Sequence, residues 1–499
     1  MDIKNYSYTG LNGSLANRLS AQRAQMSDLT QQEISQLKAP TYKGIENRSL
    51  TLAFQAKIAQ NESYQSTITT INTRLSVLGN SLDAMSTVSQ DLSGVLGTNG
   101  YQLTSSGQTS EQIVAKNALE TYISTLNTDV DGQFVFAGKA SDVSPVVDLT
   151  TMLEGNGVQA GYKTVAAQRL QADLGSNGLG RLDLTSSGSN VTLAEDGSHV
   201  FGMKLTGVTS TLSNVTTTGP SGTPASLSID VTGQPTAGEA MDIELTLPDG
   251  TTTKVTLTAG TEADTANGTF AIGATTDETA ANIQAALQAR LETTAKTDLT
   301  AASAEAAAND FFDTAGGAAP MRVDGPPYDT ATGLVAGTEA DTVMWYRGTN
   351  DAETPRADAH AEVEDGLTVN YGVRANEGAF TSQIKQLAVL STIDVSGGTD
   401  TDQALFASVV ERTKGPLEAT TGSDSLQSVA AEIAGAQSTA KSANTRMTVA
   451  NNTYQAAVDG ALGIDETEVA VKMTRLQTQI EASYKASSIL YKLTLTNYL

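Results

Sequence analysis

The sequence predicts an α+β fold. Both ends of the chain are expected to build one long antiparallel helical coiled-coil or bundle domain, with a central β-rich, solvent-facing region that carries an inserted α/β subdomain. Three observations predict it. Towards one end, Val469, Met473, Leu476, Ile480, Ser483, Ser487 and Leu490 recur at alternating four- and three-residue steps, the spacing that keeps one stripe facing a partner helix. Towards the other, Ile68, Ile71, Leu75, Leu78, Leu82 and Met85 alternate likewise and continue through Val88, Leu92 and Leu96. Between about Gln133 and Asp394 the pattern changes to short alternating apolar runs split by turn residues, the signature of antiparallel strands.

Taken in order, Leu15, Leu19, Met26, Leu29 and Leu37 mark a first helix that Lys38-Ala39-Pro40 ends, because proline removes a donor and pushes the preceding residue out of the helical region. The helix resumes near Ile45 and is expected to run to Leu96, since only Gly79 and Gly94 interrupt it. A Gly/Ser/Thr loop from Gly97 to Ser110 leads to a helix from about Glu111 that ends at Asp131-Gly132. Within the β region, Asp242 to Leu247, the turn Pro248-Asp249-Gly250 and Thr251 to Leu257 predict a hairpin. An alanine-rich helix is expected around Thr279 to Leu291, and a further β segment through Val343 to Tyr346 and Gly366 to Val373. Helical periodicity returns at Ile384 and again at Leu426, then persists with a turn at Asp459 to Gly463.

The domain plan that follows places an N-terminal helical half in 1–132, β structure in 133–218, an inserted hairpin-plus-helix subdomain in 219–318, more β structure in 319–394 and a C-terminal helical half in 395–499. The two heptad seams are expected to pair. Closing a loop of roughly 400 residues costs about 5 kcal/mol, while each well-buried Leu or Ile contributes about 1.5–3 kcal/mol, so a handful of seam layers offsets the closure. The last helix also carries Ile489, Leu493 and Leu495 off its main seam. More of its sides are apolar than one partner can cover, so neighbouring subunits are expected to cover the rest and to complete the folding of the ends.

Composition narrows the functional classes. With 55 acidic against 30 basic residues the net charge is −25, which argues against phosphate neutralisation and therefore against nucleic acid as a partner. No run of about 18 apolar residues offers a membrane span, and with the polar, mixed start Met1 to Gly10 no cleaved signal peptide is expected. There is no cysteine, and the two histidines, His199 and His360, lie far apart. No cofactor or metal is expected, and an enzyme is the least supported reading.

The motifs with chemical potential have plainer explanations. Asn127, Asp129, Asp131 and Gly132 match the first half of a calcium loop, but the position that needs a bidentate glutamate is Gly138. A turn after a helix explains them better. The glycine-rich stretches Gly155-Asn156-Gly157 and Gly175 to Gly180 neither follow a strand nor open a helix, so they read as turns. His199 and His360 sit near no nucleophile motif and read as surface or turn residues. Trp345, the only tryptophan, lies in an alternating run and reads as a core anchor.

Three segments resemble the bacterial flagellin superfamily, and within it the hook-associated protein 3 branch, the junction proteins between hook and filament. Leu126 to Asp129 followed by Gly132-Gln133-Phe134-Val135-Phe136-Ala137-Gly138 is similar to that family's transition from helical to β domain, so Gly132, Phe134, Phe136 and Gly138 are expected to mark that transition. Leu476 to Tyr484 and Leu493 to Leu499 are similar to the junction protein's ending. Trp345 to Gly348, Val363 to Gly366 and Tyr371 to Glu377 resemble its last β segment. The chain departs from the family in its Gln36 to Tyr42 turn and in a longer β region.

The resemblance implies a secreted, extracellular structural subunit that leaves through the flagellar type III apparatus and self-assembles into a tube. Its implied partners are copies of itself, neighbouring hook-associated proteins and flagellin, and an export chaperone. The assembly interface would then use Ile68, Ile71, Leu75, Leu78, Leu82, Met85, Val469, Met473, Leu476, Ile480, Leu490 and Leu493. A filament-forming flagellin and a surface adhesin or glycan-binding homologue are the alternatives.

Overall fold

The computed structural model describes residues 6–45, 47–97, 100–418 and 425–496, with side-chain surroundings given from residue 13 onwards and, in the last helix, through 489 and at 492. The chain is α+β, with helices at both ends and sheets in the centre.

Helix α1 (Tyr6–Ser35) stops before Pro40, and α2 (Arg48–Val95) is a single helix, as its lack of proline predicts. Helix α3 (Ser110–Leu126) opens with a reciprocal capping box, in which Gln112 N–H donates to Thr109 Oγ1 at 3.2 Å and Thr109 N–H donates to Gln112 Oε1 at 3.0 Å. It ends sooner than expected, because a minimal hairpin follows at once, strands β1 (Asp129–Val130) and β2 (Gln133–Phe134). Helices α4 (Leu149–Glu154) and α5 (Tyr162–Leu174) precede the first long strand. The segment 133–218, expected to be β-rich, therefore also carries two helices ahead of its long strands.

Eight strands follow: β3 (Leu182–Ser187), β4 (Asn190–Glu195), β5 (Lys204–Ser210), β6 (Val215–Ser221), β7 (Ser226–Val231), β8 (Ala240–Thr246), β9 (Thr252–Gly260) and β10 (Thr269–Ala271). They form two four-stranded sheets, ordered β3-β4-β7-β6 and β10-β9-β8-β5, with the β10–β9 pair parallel and the others antiparallel. The β8–β9 hairpin is the one the sequence predicts. Helix α6 (Thr276–Thr294), capped by Thr275 and carrying Asp277 and Glu278 in its first turn, lies against both sheets. A π-turn at Ala295–Leu299 joins it to α7 (Thr300–Phe312).

One core unites these elements. Leu193, Leu227 and Ile229 from one sheet, Ile243, Val255 and Leu257 from the other, and Ile283, Leu287 and Leu291 from α6 are all fully buried. The expected insert boundary at Gly219 is thus wrong: that residue lies inside β6, and β4 pairs with β7 as β5 pairs with β8 across it. Ladder bonds between distant strands fixed the unit, and the Gly-Pro-Ser-Gly run serves within it.

Two short hairpins follow, β11 (Met321–Val323) with β12 (Leu334–Ala336) and β13 (His360–Glu364) with β14 (Leu367–Asn370). The expected strand at Val343 to Tyr346 is instead a line of single bridges, in which Val343 N–H donates to Ala160 and Val147 N–H to Trp345. Helices α8 (Gly378–Thr392), α9 (Asp400–Glu418), α10 (Leu426–Leu462) and α11 (Glu466–Thr496) complete the chain. Among the described residues no helix is long and apolar enough to cross a membrane.

The chain divides into two compact units, Met1–Thr70, Glu362–Thr368 and Thr439–Leu499 in one, and Ile71–Ala361 and Val369–Ser438 in the other. The planned halves 1–132 and 395–499 therefore overreach. Helix α3 packs on α8, and α8 on α7 and α9, so these helices belong to the central unit because their apolar faces are buried there.

Candidate functional site

In the terminal unit α11 lies against α1, and the two run antiparallel. Ser483 Oγ donates to Gln22 Oε1 at 3.2 Å near one end, while Lys38 N–H donates to Leu462 O at 2.8 Å near the other. On α11 the buried or half-buried positions are Val469, Met473, Leu476, Ile480, Ser483 and Ser487, the predicted seam. On α1 they include Leu15, Leu19, Gln22, Met26, Leu29 and Glu33, again at four- and three-residue steps. The partner differs from the expected one. The α11 seam meets α1, whereas the expected partner seam on α2 falls mainly in the central unit, where Ile71, Leu75, Leu78, Leu82 and Met85 are buried. A heptad stripe states that a partner exists without stating which one. Leu490 and Leu493 lie in α11, but their side chains fall outside the described residues.

Ile68 is buried in the terminal unit, near where the first half of α2 meets α10. Phe54 stacks on Tyr454 with ring centroids 5.3 Å apart. Asn61 Nδ2 donates to Asn451 Oδ1 at 2.8 Å, and Gln65 Nε2 to Thr448 Oγ1 at 3.0 Å. The sequence reading missed this polar ladder and the α10 stripe Ala440, Ala443 and Met447. Alanines at heptad spacing were the available signal, and they are weak because each buries little area.

Nine large apolar side chains of this unit remain exposed: Ile34, Leu37, Tyr42, Leu50, Leu52, Val449, Val471, Tyr484 and Ile489. Val471 and Ile489 on α11 are 62% and 58% exposed. Helices α1 and α11 lie against each other along their described residues. What is left open is their outward face.

The transition motif lies in the central unit. Asp131 and Gly132 have φ of 54° and 76°, the left-handed pair that a two-residue hairpin turn requires, and Asp129 Oδ2 accepts from Gly132 N–H at 2.8 Å. Asn127 donates to and accepts from the Val146 backbone at 2.9 and 3.0 Å. These side chains therefore close turns. Phe134 is half-buried, while Phe136 is fully buried edge-on against Phe380 at 5.5 Å. Gly138 has φ of 65°, and a Cβ there would fall 2.4 Å from Asp358 Oδ2 and 2.9 Å from Thr349 Cβ.

The structure joins this motif to the third resembling segment. Ala375 N–H donates to Phe136 O at 2.9 Å, Gly138 N–H to Val373 O at 3.3 Å, and Thr349 N–H to Ala137 O at 2.9 Å. Around the junction Arg374 is held by Asp351 and Asp358, each at 2.6 Å, and Arg356 by Glu377 at 2.9 Å and by Glu432. Hydrogen bonds to Asp358 raise the Arg374 guanidinium above its usual range, and burial raises the Glu377 carboxyl despite Arg356. Each of these charges has a partner, and the cluster ties the segments together.

Trp345 is fully buried against Phe312 at 5.7 Å, a core anchor. His199 is a correction to its surface reading. It sits in a bend, but its side chain is 2% exposed and lies 2.6 Å from Asp196, three residues back, and 2.9 Å from Arg181. His360 is exposed. Phe201, Phe270, Phe311 and Phe312 are buried, so none of them offers the exposed aromatic platform that glycan binding would use. Among the described residues no three His, Asp or Glu side chains converge as a metal site would require.

No protein-family model matches the chain, and no curated protein is similar enough to match it.

Proposed function

We propose that this chain is a structural subunit of the bacterial flagellum, a junction-type protein that joins hook to filament through coiled-coil packing of its terminal helices with copies of itself and neighbouring axial proteins. One observation carries the reading. Of the thirteen exposed large apolar side chains among the described residues, nine lie in the terminal unit, seven of them on α1, α2, α10 and α11. Exposed apolar side chains gathered in one unit support an interaction role for that unit. The junction of the transition motif with the segment 345–377 supports the same reading, because two segments that resemble the family come together. On this reading the protein acts outside the cell, after type III export, and carries no catalytic residue.

Two experiments test it. Removing Leu476 to Leu499 is expected to abolish incorporation into the flagellum while the central unit keeps its melting transition, and normal motility of that truncation would sink the proposal. Val471→Asp with Ile489→Asp, both exposed, should leave the single chain's stability within about 0.5 kcal/mol of the parent yet prevent attachment of filament to hook. A filament-forming flagellin is the second reading, favoured by the long central region. Electron microscopy of a deletion strain separates the two: loss of a junction protein leaves bare hooks, whereas loss of one flagellin shortens or thins filaments.

A further inference from the structure

Helix α7 crosses the central unit with nearly every side chain buried, and one of them is an acid. Glu305 is 7% exposed, and its Oε2 accepts from Gln386 Nε2 of α8 at 3.1 Å. The other two oxygens of this pair, Glu305 Oε1 and Gln386 Oε1, are buried with no donor. Two unpaired interior acceptors are costly, and native structures hold few of them. A single proton would resolve both. A carboxylic acid and a primary amide are complementary, the acid giving its O–H to the amide oxygen while the amide N–H returns to the acid.

The surrounding charges are engaged elsewhere. Arg412 of α9 donates to Asp249 at 2.9 Å, Thr251 at 3.1 Å and Ser408 at 3.1 Å. Lys385 of α8 donates to Asn309 at 2.8 Å and Asp313 at 2.9 Å. Tyr162 of α5 donates to Ala304 O at 3.0 Å, Arg322 of β11 to Gln168 at 2.9 Å, and Asp298 of the π-turn accepts from Thr253 at 2.9 Å and Ser408 at 2.8 Å. Asp249 adds negative charge near the site, and burial pushes the Glu305 carboxyl up to about 7.

We infer that Glu305 and Gln386 form a proton-dependent lock between α7 and α8: the protonated carboxyl gives its O–H to Gln386 Oε1 and accepts Nε2–H in return, and loss of that proton to solvent leaves a buried anion facing an unpaired carbonyl. The sign follows from linkage. The folded state holds this proton more tightly than the unfolded chain does, so the lock's contribution is complete below the ordinary glutamate range and is lost as pH rises through about 7.

The test uses the full chain labelled with carbon-13 at glutamate carboxyls, titrated by NMR from about pH 4 to 9, with thermal midpoints measured in parallel. One carboxyl is expected to titrate near neutrality, with the Gln386 side-chain amide shifting in step. Glu305→Gln should remove that signal and flatten the decline in thermal midpoint across the same window. Gln386→Leu identifies the signal independently by moving its titration midpoint, and the wild-type titration itself needs no variant to fold. The inference is overturned if every glutamate titrates in the ordinary range, or if the Gln386 amide ignores a carboxyl that titrates near neutrality.

Discussion

On α11 of the terminal unit, Met473 and Ile480 lie on the heptad stripe and remain half-buried, while in the central unit Ile283, Leu287 and Leu291 line one face of α6 and have no exposure at all. The difference lies in the number of partners. Helix α6 packs on two sheets and the π-turn that follows it, so its apolar face is covered. Helix α11 has α1, and a two-helix contact leaves each helix's remaining faces in water. Equal periodicity therefore produces a complete core in one unit and an incomplete one in the other. The comparison teaches that burial is set by the neighbours a stripe finds rather than by the stripe itself.

The largest expected effect comes from deleting Gly219 to Ala318. This removes the end of β6, β7 to β10, α6, the π-turn and α7, so both sheets lose their central strands, and the central unit should fail to fold in circular dichroism and solubility assays. A soluble product with a cooperative melt would show that the core is divisible. Next, Ile283→Ala should destabilise the chain by about 2–5 kcal/mol, the cost of a fully buried cavity. Leu476→Ala, on the two-helix contact, should cost about 1–2 kcal/mol, and equal values in denaturant titration would break the comparison.

Gly138→Ala is expected to cost about 1–3 kcal/mol, because a side chain there meets both a positive φ and the Asp358 and Thr349 side chains. The smallest effect belongs to Asp148, whose carboxylate accepts from Thr151 Oγ1 and N–H at the start of α4 and is held below the usual carboxylate range by those bonds. Its contribution is present above the ordinary aspartate pKa and is lost as pH falls through the depressed one. Asp148→Ala should therefore cost about 0.5–2 kcal/mol near neutrality and progressively less in acid, measured as thermal midpoint against pH.

Much of the fold was legible because its signals are local. Helix α1 stops before Pro40, the Pro-Asp-Gly turn sets the β8–β9 hairpin, and α10 and α11 are separate helices, although the break expected at Asp459 to Gly463 falls later, at Gly463 to Asp465. The α11 seam was legible from Val469 to Ser487. The site as a whole was not, since Ile71 to Met85 and Val469 to Ile480 share a pattern but fall in different units. Nothing in Gly197 to Phe201 announced that the His199 side chain would be enclosed by Asp196 and Arg181.

The sequence by itself determined the long helices α1, α2, α10 and α11, the apolar stripe on α11 and the β8–β9 hairpin, because backbone propensity and side-chain period act over a few residues. The tertiary structure alone decided that α11 meets α1, that β3 to β5 share sheets with β7 to β9, and that the residues around Phe136 close against those around Arg374. Those choices are made between surfaces far apart in the chain. An apolar stripe or an open strand edge specifies that it must be covered, while which surface covers it depends on the fit of every competing surface at once.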